Sequence, residues 1–203
     1  ETTEAQPELL AHHYTEAGPS AQAVSCWQRA GERAIERSAN IEAIHHLTKG
    51  LEVLKTLPLA DRIVYSPVGA AKHKVVVLTD VECGYCRKFH NEMAEYTKRG
   101  IEVQYLAFPR AGVGSPDYRK MVSVWCADDR RKALTDAKND RPVPARTCKT
   151  PVDMQHAAGL RMGLEGTPMI LTTDGEFVGG YLPPDVLLQR MLQIEGERAA
   201  SGA

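Results

Sequence analysis

At 203 residues and 43% hydrophobic content, the chain has material for one good core and a smaller module, which fits one or two domains. Its net charge of −1, with no lysine- or arginine-rich run, argues against electrostatic binding to nucleic acid. No apolar stretch approaches the roughly 18 residues that cross a bilayer, so no membrane insertion is expected. The chain starts without methionine and without a charged-then-apolar leader, so the signal peptide is expected to be absent from this chain and export has to be inferred from the cysteines.

Residues 1–57 read as helices. Pro7 to Ala17 is followed by the break Gly18-Pro19, Ser20 caps a long helix through Ser38, and Asn40 restarts a third helix that runs to Thr56 before Pro58. Residues repeat at a spacing of about twenty, Tyr14 with Ala34, Gly18 with Ser38, Ala23 with Ala43, Val24 with Ile44 and Trp27 with Leu47, a pattern that resembles a compressed tetratricopeptide-type hairpin. One and a half such units cannot bury their apolar faces alone. Packing across a symmetry axis is therefore expected; an independent small bundle and a docking site for another protein are the alternatives. His12-His13 and His45-His46 do not chelate from one helix face, because helix neighbours point about 100° apart. Cys26 is an odd fifth cysteine that is either buried or paired between chains in an oxidising compartment.

Pro58, Pro67 and Gly69 punctuate residues 58–73, which read as a semi-rigid linker around Ile63-Val64-Tyr65. No strand signal is present before Lys74. From there the run Val75-Val76-Val77-Leu78 reads as a strand buried on both faces, followed by a helix with Cys83-Gly84-Tyr85-Cys86 at the junction. A thiol at a helix N-terminus is stabilised as thiolate, its pKa falling from about 8.5 to roughly 3.5–7.5. Two intervening residues let Cys86 close a small ring with it, so Cys83 attacks and Cys86 resolves. A structural zinc is the competing reading, but it needs four ligands and no second pair at that spacing exists. No metal and no cofactor is expected.

Gly100 ends this active-site helix and Ile101 to Ala107 reads as a second strand. The Gly112/Gly114 loop lacks the third glycine and the strand–helix frame of a nucleotide site. Asp117 to about Lys138 reads as two helices and Pro151 to about Met162 as another, a helical insertion at about 115–163 that holds Cys126 and Cys148. Gly166-Thr167-Pro168 precedes a strand from Met169, a tight turn at Asp174-Gly175 and a strand from Phe177. Pro183-Pro184 opens a last helix through about Gln193, and the tail from Gly196 is expected to fray.

Residues from about Asp61 to Met191 resemble the catalytic domain of the DsbC family of periplasmic disulfide isomerases. The matching pieces are Ile63-Val64-Tyr65, Thr79-Asp80, Cys83-Gly84-Tyr85-Cys86, Tyr105-Leu106-Ala107-Phe108-Pro109-Arg110, Trp125-Cys126-Ala127, Gly166-Thr167-Pro168 and Gly180-Tyr181 before Pro183-Pro184. The resemblance implies an α/β thioredoxin fold over 74–195 in which the Thr167-Pro168 peptide is the cis-proline loop beside the cysteines. It also implies a structural disulfide between Cys126 and Cys148, which in the chain-entropy model would contribute on the order of 3 kcal/mol. A structural bridge beside a redox pair argues for the periplasm. The chain departs from the family at residues 1–57, since the family's N-terminal dimerisation module is rich in strands.

The expected protein is thus a thiol–disulfide isomerase and reductase acting on misfolded disulfide-bonded proteins. Cys83 is the nucleophile and Cys86 the resolving thiol, Gly84 and Tyr85 tune the redox balance, and Thr167 with Pro168 shapes the surface that presents the client. The resemblance implies a DsbD-like membrane reductase as electron donor, and the half-formed helical repeat is expected to make a homo-oligomer, with a dimer favoured, through residues 1–57. The alternatives are a dithiol oxidase or reductant carrier of the same fold, and a chaperone-like scaffold.

Overall fold

The structure is a computed structural model that describes residues 54–201. The expectations for residues 1–53, including the helical hairpin, both histidine pairs and Cys26, lie outside the described residues.

Five strands form one mixed sheet: β1 (Ile63–Tyr65), β2 (His73–Thr79), β3 (Ile101–Ala107), β4 (Met169–Thr172) and β5 (Phe177–Gly179), in the order β1-β3-β2-β4-β5. The central strand β2 runs parallel to β3 and antiparallel to β4. Its unbroken apolar run has a physical reason, because alternate residues feed two cores. Val75 and Val77 join Tyr105 and Ile170 beneath Phe89, Tyr96, Trp125 and Leu187, while Val76 and Leu78 join Leu106 and Leu171 beneath Leu54, Leu57, Phe108 and Ala158.

Two sequence expectations are corrected here. The stretch read as linker contains β1, which pairs antiparallel with β3, Ile63 opposite Tyr105. A three-residue strand carries almost no periodic signal, and Pro67 and Gly69 just beyond it masked what there was. Leu54 and Leu57 are likewise buried core residues, so the folded unit starts before Lys74. The last helix does not fray at Gly196 but continues to Ser201. Arg198 holds it there by pairing with Asp174 and with Glu176 (2.9 Å), on either side of the Gly175 turn between β4 and β5.

The helices are α1 (Gly84–Asn91), α2 (Met93–Lys98), α3 (Pro116–Trp125), α4 (Arg130–Lys138), α5 (Val152–Arg161) and α6 (Pro184–Ser201). The segment read as one active-site helix is two, broken at Glu92, whose carboxylate accepts hydrogen bonds from the Tyr181 and Tyr96 hydroxyls. In the insertion, Ser115 and Asp129 cap α3 and α4 by accepting from the Tyr118 and Lys132 amides. The insertion is tied to the entry of β1: Trp125 Nε1 and Gln155 Nε2 both donate to the Asp61 carbonyl, at 3.0 and 2.9 Å, and Gln155 Oε1 accepts from the Ala107 amide at 2.7 Å.

Candidate active site

β2 delivers the site. Its last residue, Thr79, and the next, Asp80, are fully buried, and the Asp80 carboxylate accepts from the amides of Glu82 (2.7 Å) and Arg110 (2.9 Å) and from Arg110 Nε (3.1 Å). This clamp turns the chain from strand to helix and brings the loop after β3 alongside. Cys83 then takes the N-cap position of α1 in extended geometry, and its Sγ accepts a hydrogen bond from the Cys86 amide at 3.4 Å. The cis Thr167-Pro168 peptide faces it across the site, with the Thr167 carbonyl accepting from the Cys83 thiol at 3.2 Å.

The two sulfurs, both free thiols, differ sharply. The Cys83 thiol is lowered to about 5, first by the hydrogen bond from the Cys86 thiol and then, against the cost of burial, by the Thr167 side chain, the Cys86 amide and the Arg110 charge. Cys86, one turn further into the core, is pushed far above the usual thiol range by burial and by the hydrogen bond its thiol gives to Cys83. A stable thiolate in front of a buried protonated thiol is the arrangement that thiol–disulfide exchange requires: one sulfur attacks and leaves readily, the other waits.

Gly84 and Tyr85 occupy the first turn of α1. Nothing lies within 4 Å of the position a Cβ would take at Gly84, and Tyr85 is 63% exposed with its ring 5.9 Å from that of Tyr181. Beside them runs a groove of about 600 Å³, lined by Tyr85, Glu165, Thr167, Pro168, Phe177 and Tyr181 among others. Cys126 and Cys148 stand away from this centre, joined in a disulfide that ties the end of α3 to the segment before α5. Among the described residues no group of three or more His, Cys, Asp or Glu side chains could hold a metal ion, and no helix is long and apolar enough to cross a membrane.

Sequence reasoning missed several residues around the cysteines. Arg110 and Asp80 appeared only as parts of a motif, yet together they fix the loop behind Cys83. Lys138, which reads as an ordinary helix-end lysine, is 2% exposed and donates to Thr79 Oγ1 at 2.8 Å and to the Asp80 carbonyl at 3.1 Å. His90, also in α1, is buried between Tyr105 OH (3.3 Å) and Thr135 Oγ1 (3.0 Å). Arg110 and Lys138 lie too far along the chain for any spacing rule to link them to the cysteines, whereas His90 sits one helical turn after Cys86 and its role there depends on Thr135 of a distant helix.

Residues 68–195 match the thioredoxin-like domain family. The thiol:disulfide interchange protein DsbC of Dickeya dadantii is 39% identical over 156 residues, covering 77% of this chain and 62% of that protein. DsbC of Pasteurella multocida is 38% identical over 152 residues, covering 71% of this chain and 67% of the relative. The crystal structure of a disulfide interchange protein from Neisseria gonorrhoeae superposes with a TM-score of 0.59 at 30% identity, covering 68% of this chain and 97% of that one. The chain spans between about half and two thirds of the length of the curated relatives it matches. With this coverage, over the region that carries the cysteine pair, the cis-proline loop and the helical insertion, the chain belongs to the DsbC family of thiol:disulfide interchange proteins.

Proposed function

We propose that this chain is a periplasmic thiol–disulfide isomerase and reductase for misfolded disulfide-bonded proteins. The observation that carries the reading is Cys83 at the helix N-cap, its sulfur accepting from the Cys86 amide so that the thiolate is stabilised, 3.2 Å from the carbonyl before the cis proline and in front of buried Cys86. Cys83 attacks a client disulfide, forming a bond to one client sulfur and releasing the other as thiolate. The freed thiolate then re-pairs within the client, or Cys86 displaces the client and leaves the Cys83–Cys86 disulfide. Gly84 and Tyr85 set the redox balance of the pair, and Thr167 with Pro168 presents the client strand. The Cys126–Cys148 bridge is structural, and its oxidising setting beside a redox pair supports the periplasm. A DsbD-like membrane reductase returns the pair to dithiol. Isomerisation also requires that a client be held during rearrangement, which two sites in one homo-oligomer would supply through effective concentration, with residues 1–57 as the assembly module.

The test is recovery of scrambled ribonuclease by the full chain, alongside insulin reduction and light-scattering mass. A dimer that recovers ribonuclease, with both activities lost in Cys83→Ser, supports the reading. A monomer that reduces insulin without recovering ribonuclease would leave only the reductase.

A further inference from the structure

Lys138 is the buried titratable group that the exchange described above does not use. It sits in the last turn of α4, and the cost of burying an ammonium is normally offset by a carboxylate. Here no carboxylate pairs with it directly: among the described residues Lys138 forms no ion pair, and its hydrogen-bond acceptors are the Thr79 hydroxyl and the Asp80 carbonyl. The Tyr105 ring lies 5.7 Å from Nζ and adds a weak cation–π contact. The groups that face it are Cys83, Cys86, Arg87 and His90 from α1, Asp80 from the loop after β2, and Tyr105 from β3. Of these, Cys86 is the acid that most favours the Lys138 charge, ahead of Cys83 and Asp80, and it is 1% exposed.

The hydrogen bonds have a direction. An ammonium only donates, so Lys138 occupies a lone pair of Thr79 Oγ1 and leaves the Thr79 hydroxyl proton free to point elsewhere. Thr79 stands beside the Cys86 sulfur and favours its anion, as does the Lys138 charge. Lys138 and Thr79, joined by their hydrogen bond, thus both favour the anion of the buried resolving sulfur. We propose that Lys138, acting through the Thr79 hydroxyl, is a positioning residue that activates Cys86 as the resolving nucleophile in the second step of exchange.

This rests on the roles given to Cys83 and Cys86 under the proposed function. While Cys83 is held in a mixed disulfide it no longer carries the negative charge that suppresses ionisation of Cys86, so the burial penalty is what remains to be overcome. Lys138 offsets part of it. Burial lowers the Lys138 ammonium to about 8, so it still carries its charge at neutral pH and loses it in mild alkali.

The test is a stopped-flow reaction of the reduced full chain with Ellman's reagent, with Cys26→Ser as the reference protein so that Cys26 does not contribute. Cys83 thiolate displaces one thionitrobenzoate and forms the mixed disulfide. Cys86 then loses its proton to solvent, attacks the Cys83 sulfur and displaces a second thionitrobenzoate, so the pair is oxidised by two electrons and the reagent is reduced to two thiolates. The fast phase reports Cys83 and the slow phase reports Cys86. Lys138→Met is expected to leave the fast phase within about twofold, to slow the second at neutral pH by roughly tenfold, and to move its pH dependence up by about one unit. Thr79→Val, which keeps shape and removes the hydroxyl, is expected to act in the same direction. Should Lys138→Met fail to fold, Thr79→Val decides alone. A second phase within twofold of the reference in the folded variants, or both phases slowed alike, overturns the proposal. Loss of the fast phase in the reference protein itself would instead overturn Cys83 as nucleophile, and this inference with it.

Discussion

Gly159 in α5 lies directly beneath the ring of Phe108, so closely that a Cβ built on it would stand 2.5 Å from Phe108 Cδ2 and 2.9 Å from Leu78 Cδ2. The ring has no slack, since it stacks on His156 at 4.7 Å and Leu78 is fully buried in the central strand. Gly159→Ala therefore sets two effects against each other. Alanine gains about 1 kcal/mol of helix propensity, but overpacking costs about 1–3 kcal/mol and displaces the loop that carries Arg110. The clash is expected to win, and a thermal melt of the variant should show a lower midpoint than the parent.

Alkylation of reduced protein by iodoacetamide should follow the Cys83 thiolate. Half-maximal rate is expected near pH 5, the value to which Cys83 is lowered, with Cys86 silent over the same range. The same shift links to stability. The folded value lies below the unfolded one of about 8.5, so the dithiol form gains stability as pH rises from about 5 toward 8.5, and that gain is lost as pH falls through 5. The disulfide form has no such dependence, and paired denaturant titrations of the two forms across this range measure the difference.

His90 gives a second pH signature, of the same sign and lower on the scale. Burial first, and then the nearby Lys138 charge, lower it to about 3. Protonation is therefore easier in the unfolded chain, and stability present above pH about 6.5 is lost progressively as pH falls toward 3. His90→Gln should flatten the urea-derived stability profile between those limits. An unchanged slope would mean that His90 does not carry it.

Phe177 is 56% exposed and lines the groove beside Cys83. Phe177→Ala should change stability by less than about 0.5 kcal/mol, as substitutions at exposed positions do. If the groove takes client side chains, the variant should need roughly three- to tenfold more client for half-maximal ribonuclease recovery, with reaction toward Ellman's reagent unchanged.

The parts of the molecule that are local in sequence were legible before the structure. The strand at Val75–Leu78, the cysteine junction, the strand Ile101–Ala107 and the helices of the insertion each announce themselves by periodicity, caps or a terminating glycine within a few residues. What stayed hidden depends on partners far away. β1 is a strand only because β3 accepts it, the last turns of α6 hold because Arg198 meets Asp174 and Glu176, and Lys138 looks like a solvated side chain until the fold wraps it over Thr79. The site divides the same way, since Cys83 and Cys86 share one turn, while the Thr167 carbonyl reaches them from 84 residues on.

The order of the sheet bears on how the chain is made. β2 carries the longest unbroken apolar run and sits in the middle, but its two neighbours emerge at different times: β3 follows within one helix-turn-helix, whereas Val75 must wait for Thr172 before its other edge is paired. Throughout synthesis of the whole insertion, a nascent chain therefore carries Val75–Leu78 with one row of amides and carbonyls open, the template on which strands from other chains add. Chains interrupted before Met169 should clump rather than remain partly folded. The segment that delivers the reactive cysteines is thus also the one that most needs shelter on the ribosome.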